Sequence, residues 1–567
     1  MGRNICHALV LVLIATTAGR LMAADVPVAN PSFEVAADNG IPVGWSAWTD
    51  RGGDLSQHFA AVPFQGAPDG ERILKITALK PQTCILSQKL AALTPGRWYE
   101  ATAKTRCEQV QGHASSLAIE FWRGDGVNLG SIDSEALVGT CDWRTCSIRF
   151  QAPHPSQAVR LDCFLRAQSG TAMFDAVSVR ATAPPNRDYS RRQVLDGGFW
   201  GMFTCFFPPF REYADDMAQA GVRWQRMGLG STLPDIQRRA DELGMVFDTC
   251  IDGMPPATEP SDPCYPVTDT KAMEAFLRRY AEKELPGVRI WECYNEPNGN
   301  TGWTLPGYIN YVKAAAACVR AAKPGALIAP GGFAVPYTGY VEACLKRGLS
   351  DVVDVVLVHP YAVDEALDSH LVALARACER GGRPDIPVAI NETGWATWDP
   401  ATQYAEFSQF VSEHDQASYI VKLHVQALAH RVSFVAYLGW SDISPETARC
   451  DHSGNMGLVR VDGSPKPGLN AYRFMTETIG NRKIMEWSYA DDGTRLYRLD
   501  GEPPLWITWN ALQTTDATVD TGQTQVIACD MFGTRLQARP ASGKVNLRLQ
   551  ADPIYLVPIG PLESLTD

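Results

Sequence analysis

The chain has 567 residues, of which 45% are hydrophobic and 20% charged, and its formal net charge is −12. This length exceeds what one compact core usually holds, so two to four domains are expected, and the composition excludes a disordered or fibrous chain. An acidic chain without a basic run repels phosphate backbones, which argues against a nucleic-acid partner.

The first 24 residues have the pattern of a secretory signal peptide. Arg3 supplies the positive start, an apolar stretch extends from Ala8 to Gly19, and Ala23 and Ala24 are small residues suited to a cleavage site. The apolar stretch is short for a membrane anchor, which is the weaker alternative, and no later segment is long and apolar enough to be an integral membrane segment. The sequence therefore predicts a secreted or periplasmic protein after removal of the signal peptide.

The 15 cysteines show no spacing typical of a metal site. An exported protein can carry disulfides, and two alternatives are a bridge from Cys141 to Cys146 or one from Cys107 to Cys163. The sequence leaves this pairing open.

Residues 25–182 show short alternating segments and many turn residues, which is typical of a β-sandwich. Strands are predicted at Ser116–Trp122, Ser147–Gln151, Val159–Leu165 and Ala172–Val179. Five tryptophans in this region are candidates for stacking on sugars, although most are expected in the core: Trp45, Trp48, Trp98, Trp122 and Trp143.

The two ends of this region resemble jelly-roll carbohydrate-binding modules. The similar segments are Asn30-Pro31-Ser32-Phe33-Glu34, followed by Gly44-Trp45, and residues 173–179. The resemblance implies a module that binds glycan and concentrates the protein on a polymer, and it leaves room for a structural calcium ion. The alternative is a domain that only packs against its neighbour.

A proline-rich linker is predicted at 183–194, and strands then alternate with helices over 195–480. The eight predicted strands are Phe199–Phe203, Val222–Met227, Met245–Thr249, Val288–Cys293, Ala326–Ala329, Val353–Val358, Pro387–Asn391 and Val432–Leu438. Helical patterns are predicted at Tyr213–Ala220, Asp235–Leu243, Met273–Glu284, Tyr308–Ala322, Ala366–Arg380 and Ala417–Ala429. Eight such units favour a (β/α)8 TIM barrel. A doubly wound open sheet fits less well, since no Gly-rich phosphate loop follows the first strand.

Strand patterns return in 481–567, which predicts a small C-terminal β-domain. The predicted strands are Thr494–Leu499, Leu505–Trp509, Val526–Ala528 and Val545–Leu549.

Two glutamates, Glu296 and Glu392, lie at the predicted ends of barrel strands four and seven. They are 96 residues apart, and three barrel units of about 31 residues predict about 94. Because strand ends share one rim of a barrel, both carboxylates are expected in one site. A pair of carboxylates is what a retaining glycoside hydrolase needs: one protonates the leaving oxygen and the other attacks the sugar carbon.

The motif Asn295-Glu296-Pro297 and the segment Glu392-Thr393-Gly394-Trp395 resemble the acid/base and nucleophile motifs of clan A glycoside hydrolases. The flanking residues are most similar to families 39 and 5 and their uncharacterised relatives. Other positions match as well. Arg226 is similar to the strand-two arginine that holds the nucleophile, His359 and Tyr361 to the strand-six His-x-Tyr, and Trp440 to the strand-eight tryptophan beneath the reacting sugar.

The resemblance implies a role for each residue. Glu392 attacks as the ionised nucleophile, and the Arg226 guanidinium would lower its pKa. Glu296 is the acid/base, and desolvation or a nearby carboxylate would keep it protonated. His359 and Tyr361 would position the nucleophile. Asn295 would bind the sugar 2-hydroxyl, while Trp395 and Trp440 would offer apolar faces to the sugar.

The sequence therefore predicts a secreted retaining glycosidase that acts on a β-linked polysaccharide or oligosaccharide and needs no cofactor for catalysis. Two alternatives stay open. One is a non-catalytic carbohydrate-binding protein on a degenerate barrel, and the other is a transglycosylase that uses the same carboxylates. The sugar depends on rim loops such as 252–269 and 397–415, whose shape the sequence does not predict.

Overall fold

The structure is a computed structural model that describes residues 25–558 with several gaps. The gaps are residues 125, 127, 187, 205–209, 229–233, 252–269, 280, 283–286, 300–302, 336, 398–409, 444–451 and 491. The predicted signal peptide and most of both rim loops therefore lie outside the described residues. No helix within the described ranges has the length and apolarity needed to cross a membrane.

Ten antiparallel strands form the N-terminal region. They are β1 (Asp25–Val26), β2 (Ser46–Thr49), β3 (Phe59–Pro63), β4 (Arg72–Ala78), β5 (Gln82–Leu90), β6 (Trp98–Arg123), β7 (Asn128–Asp133), β8 (Leu137–Gln151), β9 (Gln157–Ala167) and β10 (Ser169–Ala181). All four strands predicted here are confirmed, each as part of a longer strand.

The long strand β6 belongs to both layers of the resulting sandwich. Its first half pairs with β8 and β10, and β10 continues to β4 and β3. Its second half pairs with β7 and β9, and β9 continues through β5 to β2. Register shifts in the middle of β6 separate the two pairings. The layer formed by β2, β5, β9, the second half of β6 and β7 is called the inner layer below.

The middle of the chain is a closed parallel barrel. Its strands are β11 (Trp200–Phe203), β12 (Trp224–Gly228), β13 (Val246–Cys250), β14 (Val288–Glu292), β15 (Leu327–Ala329), β16 (Gly332–Ala334), β17 (Val356–His359), β18 (Val388–Thr393) and β19 (Val435–Leu438). β15 and β16 are two parts of the fifth strand, one pairing with β14 and the other with β17. The predicted eight-stranded barrel is thus confirmed, and the open-sheet alternative is wrong because β11 pairs with β19.

Helices cover the outside of the barrel. They are α1 (Phe210–Gln219), α2 (Pro234–Glu242), α3 (Thr270–Arg279), α4 (Leu305–Ala322), α5 (Thr338–Cys344), α6 (Asp364–Arg380), α7 (Glu413–Ala429) and α8 (Pro467–Ile479), with short turns at Leu55–Gln57, Leu345–Leu349 and His452–Asn455. Local signals start two of them: the Thr304 hydroxyl caps α4 and the Ser412 hydroxyl caps α7. The sequence analysis did not predict α5 and α8.

The C-terminal region is a β-domain of two small sheets. One has the order β20 (Ile484–Tyr489), β21 (Thr494–Leu499), β22 (Leu505–Asn510), β27 (Ile554–Pro558) and β24 (Val526–Cys529); the other consists of β23 (Thr515–Asp520), β26 (Lys544–Leu549) and β25 (Arg539–Ala541). This region packs on the barrel through Arg495, which donates to the carboxylates of Glu365 and Asp368 on α6 at 2.6 Å each.

The sandwich packs closely on the barrel helices. The hydroxyl of Thr338 at the start of α5 donates to the Asp133 carboxylate at 2.7 Å, and the backbone amide of Gly339 donates to it at 3.0 Å. Gly339 is needed here, because a Cβ atom on it would lie 2.1 Å from the carbonyl oxygen of Ser134. The predicted domain boundaries remain predictions. These contacts join the N-terminal sandwich to the helices of the barrel.

The described cysteines form no disulfide in the structure. Cys107 lies directly opposite Cys141 on the paired strands β6 and β8, and Cys146 lies opposite Ala103. The register therefore favours neither of the two pairings suggested by the sequence.

Candidate active site

The candidate site lies at the carboxyl ends of the barrel strands. Interior positions alternate along a strand, and Trp224, Ile290 and Ala389 belong to the apolar cluster inside the barrel. Two residues further along the same strands come Arg226, Glu292 and Asn391, all buried. The interior thus changes from apolar to charged at this rim, where TIM-barrel sites are found.

Glu392 on β18 is held by donors on both carboxylate oxygens. A guanidinium nitrogen of Arg226 donates to Oε2 at 2.5 Å, and the Tyr361 hydroxyl donates to Oε1 at 2.5 Å. A register shift between Ile390 and Thr393 interrupts the regular pairing of β18 at this point. The side chain of Glu392 is 13% exposed. The predicted contacts of Arg226 and Tyr361 with the nucleophile candidate are present.

The charges around Glu392 keep it ionised. Burial raises the pKa of this carboxyl, but the neighbouring His359 and Arg226 outweigh burial, and the Tyr361 hydrogen bond adds to their effect, so the pKa is lowered from its ordinary value. A carboxylate that is both desolvated and ionised is prepared for attack on an electrophilic carbon.

Glu296 follows β14 on a bent backbone. Tyr294 and Glu296 both have positive φ, 91° and 47°, which side-chain-bearing residues rarely adopt. The conformation is fixed by two backbone hydrogen bonds, from the Glu296 amide to the Gly332 carbonyl at 2.9 Å and from Gly299 to the Glu296 carbonyl at 2.8 Å. The side chain of Glu296 is 35% exposed and faces the cavity at the barrel mouth.

His359 lies between the two glutamates. Its Nδ1 is 2.9 Å from Oε1 of Glu296 and 3.7 Å from Oε2 of Glu392, so its hydrogen bond goes to Glu296. The expectation that His359 positions the nucleophile is therefore replaced by a direct contact with the acid/base candidate. Burial alone would lower the pKa of His359, but the negative charges of Glu392 and Glu296 raise it above its ordinary value.

The ring of His359 needs Gly332 beside it. A Cβ atom at position 332 would lie 2.1 Å from Nε2 of His359 and 2.7 Å from Oε1 of Glu292. Gly332 begins β16, the second part of the divided fifth strand, and its amide donates to Glu292 at 2.6 Å. The break in the fifth strand thus makes room for the imidazole and supplies a hydrogen-bond donor.

The two candidate carboxylates are close together. One oxygen of Glu296, one oxygen of Glu392 and a ring nitrogen of His359 all lie within 4.8 Å of one another. In glycosidases a separation of about 5–5.5 Å leaves no room for a water molecule between carboxylate and sugar, and the second carboxylate then attacks directly. These three groups could also ligate a metal, but Arg226 and Tyr361 already occupy both oxygens of Glu392.

A buried polar network supports Arg226. Glu292 receives two hydrogen bonds from this guanidinium, at 2.9 and 2.8 Å, and is fully buried. The amide nitrogen of Asn391 donates to Glu292 at 2.9 Å and to Asp248 at 3.0 Å. Burial, followed by the charge of Glu292, raises the pKa of Asp248 to about 8, so Asp248 is protonated at neutral pH. Arg226 thus donates to the carboxylate oxygens of Glu292 and Glu392.

The sequence analysis missed Glu292, Asp248 and Asn391 as site residues. The available signal was period two: each lies two residues after an apolar residue of its strand that belongs to or packs against the apolar cluster inside the barrel, so each points to the same interior. Asn295, which was predicted to bind the substrate, lies in the site beside Arg226. Its Oδ1 accepts from Arg226 at 2.7 Å, which leaves its amide nitrogen as a donor for a substrate hydroxyl.

The predicted sugar platforms, Trp395 and Trp440, are both buried. Trp395 is 6% exposed and packs against Tyr419 with ring centroids 5.3 Å apart, and Trp440 is 2% exposed. Neither lines the cavity that contains Glu296, Tyr361 and Glu392. The structure therefore does not bring these two indoles to the exposed face of the site.

The cavity over the carboxylates has a volume of about 600 Å³ and is shared between two domains. The barrel contributes Glu296, Tyr361 and Glu392. Most of the other lining residues come from the inner layer of the N-terminal sandwich, with Trp48, Asp162 and Arg166 among them. This contribution was not predicted from the sequence, although Trp48 was named as a sugar-stacking candidate.

An ionised carboxylate held by a cation, beside a second carboxyl open to solvent, defines a site of the glycoside hydrolase type on a TIM barrel. The overall fold is also similar to that of a solved glycoside hydrolase. The chain is similar to the solved structure of a family 39 glycoside hydrolase from the gut symbiont Bacteroides cellulosilyticus WH2, with a TM-score of 0.51 and 16% identity over 80% of this chain and 96% of that one. The predicted resemblance to clan A, and to family 39 within it, is thus confirmed at the level of the fold.

Among characterised relatives, the chain is 24% identical over 230 residues to a β-xylosidase from Caldicellulosiruptor saccharolyticus. The match covers 37% of this chain and 46% of the relative, so the chain spans about half the length of the curated protein it matches. A solved family 39 β-xylosidase from Caulobacter crescentus superposes with a TM-score of 0.45 and 14% identity over 64% of this chain and 97% of that one. No protein family model matches the chain.

Proposed function

We propose that the protein is a retaining glycoside hydrolase in which Glu392 is the nucleophile and Glu296 the acid/base. The observation that carries this proposal is the pair of carboxylates within 4.8 Å of each other in opposite surroundings. Glu392 is desolvated and held ionised by Arg226 and Tyr361, whereas Glu296 is half-exposed at the cavity and bound by His359 alone among the described side chains.

The reaction proceeds in two displacements. Glu392 attacks the anomeric carbon while Glu296 gives its proton to the leaving oxygen, so the glycosidic bond breaks as a glycosyl ester forms. A water molecule then loses a proton to Glu296 and attacks the same carbon, which releases the sugar and the Glu392 carboxylate. Asn295 holds the sugar 2-hydroxyl through its free amide nitrogen. No cofactor takes part in these steps.

The substrate that we propose is a β-linked oligosaccharide or polysaccharide. Opposite-face attack and protonation serve either anomer, so the β configuration in this proposal rests on the resemblance of Asn295-Glu296-Pro297 and of the Glu392 segment to clan A motifs. The first substrate to test is a β-D-xyloside, since the curated relative is named a β-xylosidase. Export of the mature protein remains a prediction from residues 1–24.

The proposal is tested with a panel of nitrophenyl glycosides, with product stereochemistry followed by NMR in the wild type. Retention of the anomeric configuration is expected. Glu392→Ala should lose turnover by at least about 10⁴-fold, because no intermediate can form. Glu296→Ala should regain part of its turnover with azide, which gives a β-glycosyl azide by attacking the intermediate without base help.

A matched control is Glu365→Ala, which removes a buried glutamate that binds Arg495 and does not line the cavity. That variant should lose stability but keep the wild-type reaction per folded molecule. Inversion of configuration, or wild-type turnover in Glu392→Ala, would contradict the proposal. Binding of sugars without hydrolysis of any glycoside would favour a carbohydrate-binding protein instead.

A further inference from the structure

The inner layer of the sandwich presents a polar face to the barrel mouth. Along β9, the odd positions Leu161, Cys163 and Leu165 are buried in the sandwich core. The even positions Asp162 and Phe164, with Arg166 after them, line the cavity over the carboxylates. The face of the sandwich that could bind glycan is therefore turned toward the barrel site, not toward bulk solvent.

An aromatic surface crosses this face. Trp48 on β2 lies directly opposite Ile85 on β5, and Ile85 lies opposite Phe164 on β9, so the three side chains point to the same side. Trp48 is 52% exposed and is the only aromatic ring among the exposed large apolar residues of the described chain. An exposed indole above a catalytic cleft offers a stacking surface for the C–H face of a sugar ring.

The position of the acid/base candidate decides which part of the substrate this surface contacts. A guanidinium nitrogen of Arg166 donates to the carbonyl oxygen of Asn298 at 2.7 Å, and Asn298 lies two residues after Glu296. The sandwich thus touches the segment that carries the proton donor. Because a retaining glycosidase protonates the departing oxygen, the sandwich lies on the side of the leaving group.

The polar groups on this face favour an uncharged ligand. Asp50, Glu120 and Asp162 all line the cavity. Asp162 is 1% exposed, and among the described residues neither of its carboxyl oxygens has a hydrogen-bond partner. Burial and the charge of Glu120 raise the pKa of Asp162 well above its ordinary value. Burial raises the pKa of Glu120 as well, so this carboxyl pair can both donate to and accept from sugar hydroxyls, and the cation beside it, Arg166, already donates to the Asn298 carbonyl.

We propose that the inner layer of the sandwich forms the leaving-group subsite of the active site, where Trp48 stacks on a neutral sugar residue and Asp162 with Glu120 binds its hydroxyls. The proposal rests on the glycosidase function proposed above. It replaces the expectation of a remote glycan-targeting module, because the candidate binding face opens into the catalytic cavity.

The test compares two substrates that share the sugar transferred to Glu392 but differ in the leaving group. β-D-xylosyl fluoride loses only fluoride, while β-1,4-xylobiose loses a whole sugar residue; if the glycoside panel selects another sugar, the same pair is made from that sugar. Trp48→Ala should lower kcat/KM for the disaccharide roughly tenfold, the loss of one stacking contact. For the fluoride, kcat/KM should stay within about twofold, because that leaving group does not reach Trp48.

Three further variants sharpen the test. Trp48→Phe should recover most of the disaccharide activity, since it keeps a ring. Trp143→Ala, which removes a tryptophan packed on Phe64 elsewhere in the sandwich, should change neither substrate. Wild-type enzyme should prefer a neutral over a uronic acid leaving group at least roughly tenfold, and Glu120→Gln should reduce that preference.

The outcomes separate the two proposals. Equal losses on both substrates in Trp48→Ala, or no loss on the disaccharide, would overturn the leaving-group subsite while leaving the glycosidase function intact. A wild-type protein that turns over neither the fluoride nor any glycoside of the panel would overturn both.

Discussion

The two sides of the site, Glu392 on barrel strand seven and Glu296 after strand four, carry the same carboxyl group in different surroundings. Glu392 has charged or hydrogen-bonding donors on both oxygens and is 13% exposed, while Glu296 has His359 as its described side-chain partner and is 35% exposed. The first arrangement stabilises a negative charge, while the second leaves the Glu296 carboxyl beside an imidazole and open to a ligand. Chemical role is thus decided by surroundings and not by residue type.

The backbone follows the same division. Glu392 lies within β18, at a register shift between two paired positions, and is held by the buried network beneath Arg226. Glu296 follows its strand in a left-handed conformation, and Arg166 from the sandwich contacts the segment just beyond it. A nucleophile benefits from fixed geometry, whereas a proton donor that also serves as base must meet two different oxygen atoms in turn.

The largest expected effect that separates the two sides comes from Glu296→Gln. Loss of the proton donor should lower kcat/KM about 10³-fold for an alkyl glycoside, but less than about tenfold for a dinitrophenyl glycoside, whose leaving group needs no proton. A series of leaving groups of graded pKa measures this dependence. A uniform loss across the series would mean that Glu296 does not act as the acid.

Arg226→Lys tests the strand-seven side. Lysine keeps the charge but cannot bind Glu292 and Glu392 at once with a planar fork, so kcat should fall about 100-fold for all leaving groups alike. The control is Arg223→Lys, at a partly exposed position just before the same strand. A loss that grows with leaving-group pKa would contradict the assignment of Arg226 to the nucleophile.

Tyr361→Phe should have a smaller effect. Removing the hydroxyl deletes one hydrogen bond to ionised Glu392, so kcat should fall roughly tenfold. The same hydrogen bond helps to lower the pKa of Glu392, so activity in the variant should be lost at a higher pH on the acid side than in the wild type. The pH profile of kcat/KM measures this shift, and Tyr555→Phe, a buried tyrosine of the C-terminal domain, serves as control.

Asp248→Asn should have the smallest effect, visible only on the alkaline side. Asp248 has a pKa of about 8, so it is neutral below that pH and gains a charge beside Glu292 above it. Wild-type activity should then fall a few-fold as the pH rises through about 8, because the new charge competes for Arg226. The variant should not show this step.

The stability of Asp248→Asn supplies an independent check. The folded wild type keeps a proton that the unfolded chain releases, so its free energy of unfolding decreases as the pH rises from about 4 to about 8. The asparagine variant should gain stability relative to wild type over that window, as measured by urea unfolding. An equal difference at every pH would show that Asp248 is ionised throughout.

Much of the fold could be predicted because it depends on local patterns. All eight barrel strands were predicted within a few residues, since each is a buried apolar run followed by a helix. Glu296 and Glu392 were proposed because a retaining mechanism needs two carboxylates at strand ends, and Arg226 and Tyr361 were proposed from their resemblance to clan A motifs. The helix α5 was missed because Thr338–Cys344 is buried throughout and shows no polar face.

The parts that could not be predicted depend on contacts between distant segments. The contact of His359 with Glu296 depends on Gly332, because any side chain at position 332 would collide with the imidazole. A single sequence does not indicate that these two residues are neighbours. The sharing of the cavity requires the docking of β7 on α5, which joins Asp133 to Thr338 across 205 residues of chain. In β9, Asp162 alternates with buried apolar residues, a pattern that places it on the other face of the strand without indicating what that face contacts.

The contact of Arg166 with Asn298 makes the linker at 183–194 a poor place to divide the protein. A cut there separates the two domains that line one cavity. If this barrel were joined to the sandwich of a relative, the segment around Asn298, just after the proposed proton donor, would lose its contact with Arg166. Homologous sandwich and barrel are therefore expected to change together during evolution, and the natural unit for engineering is the pair rather than either domain.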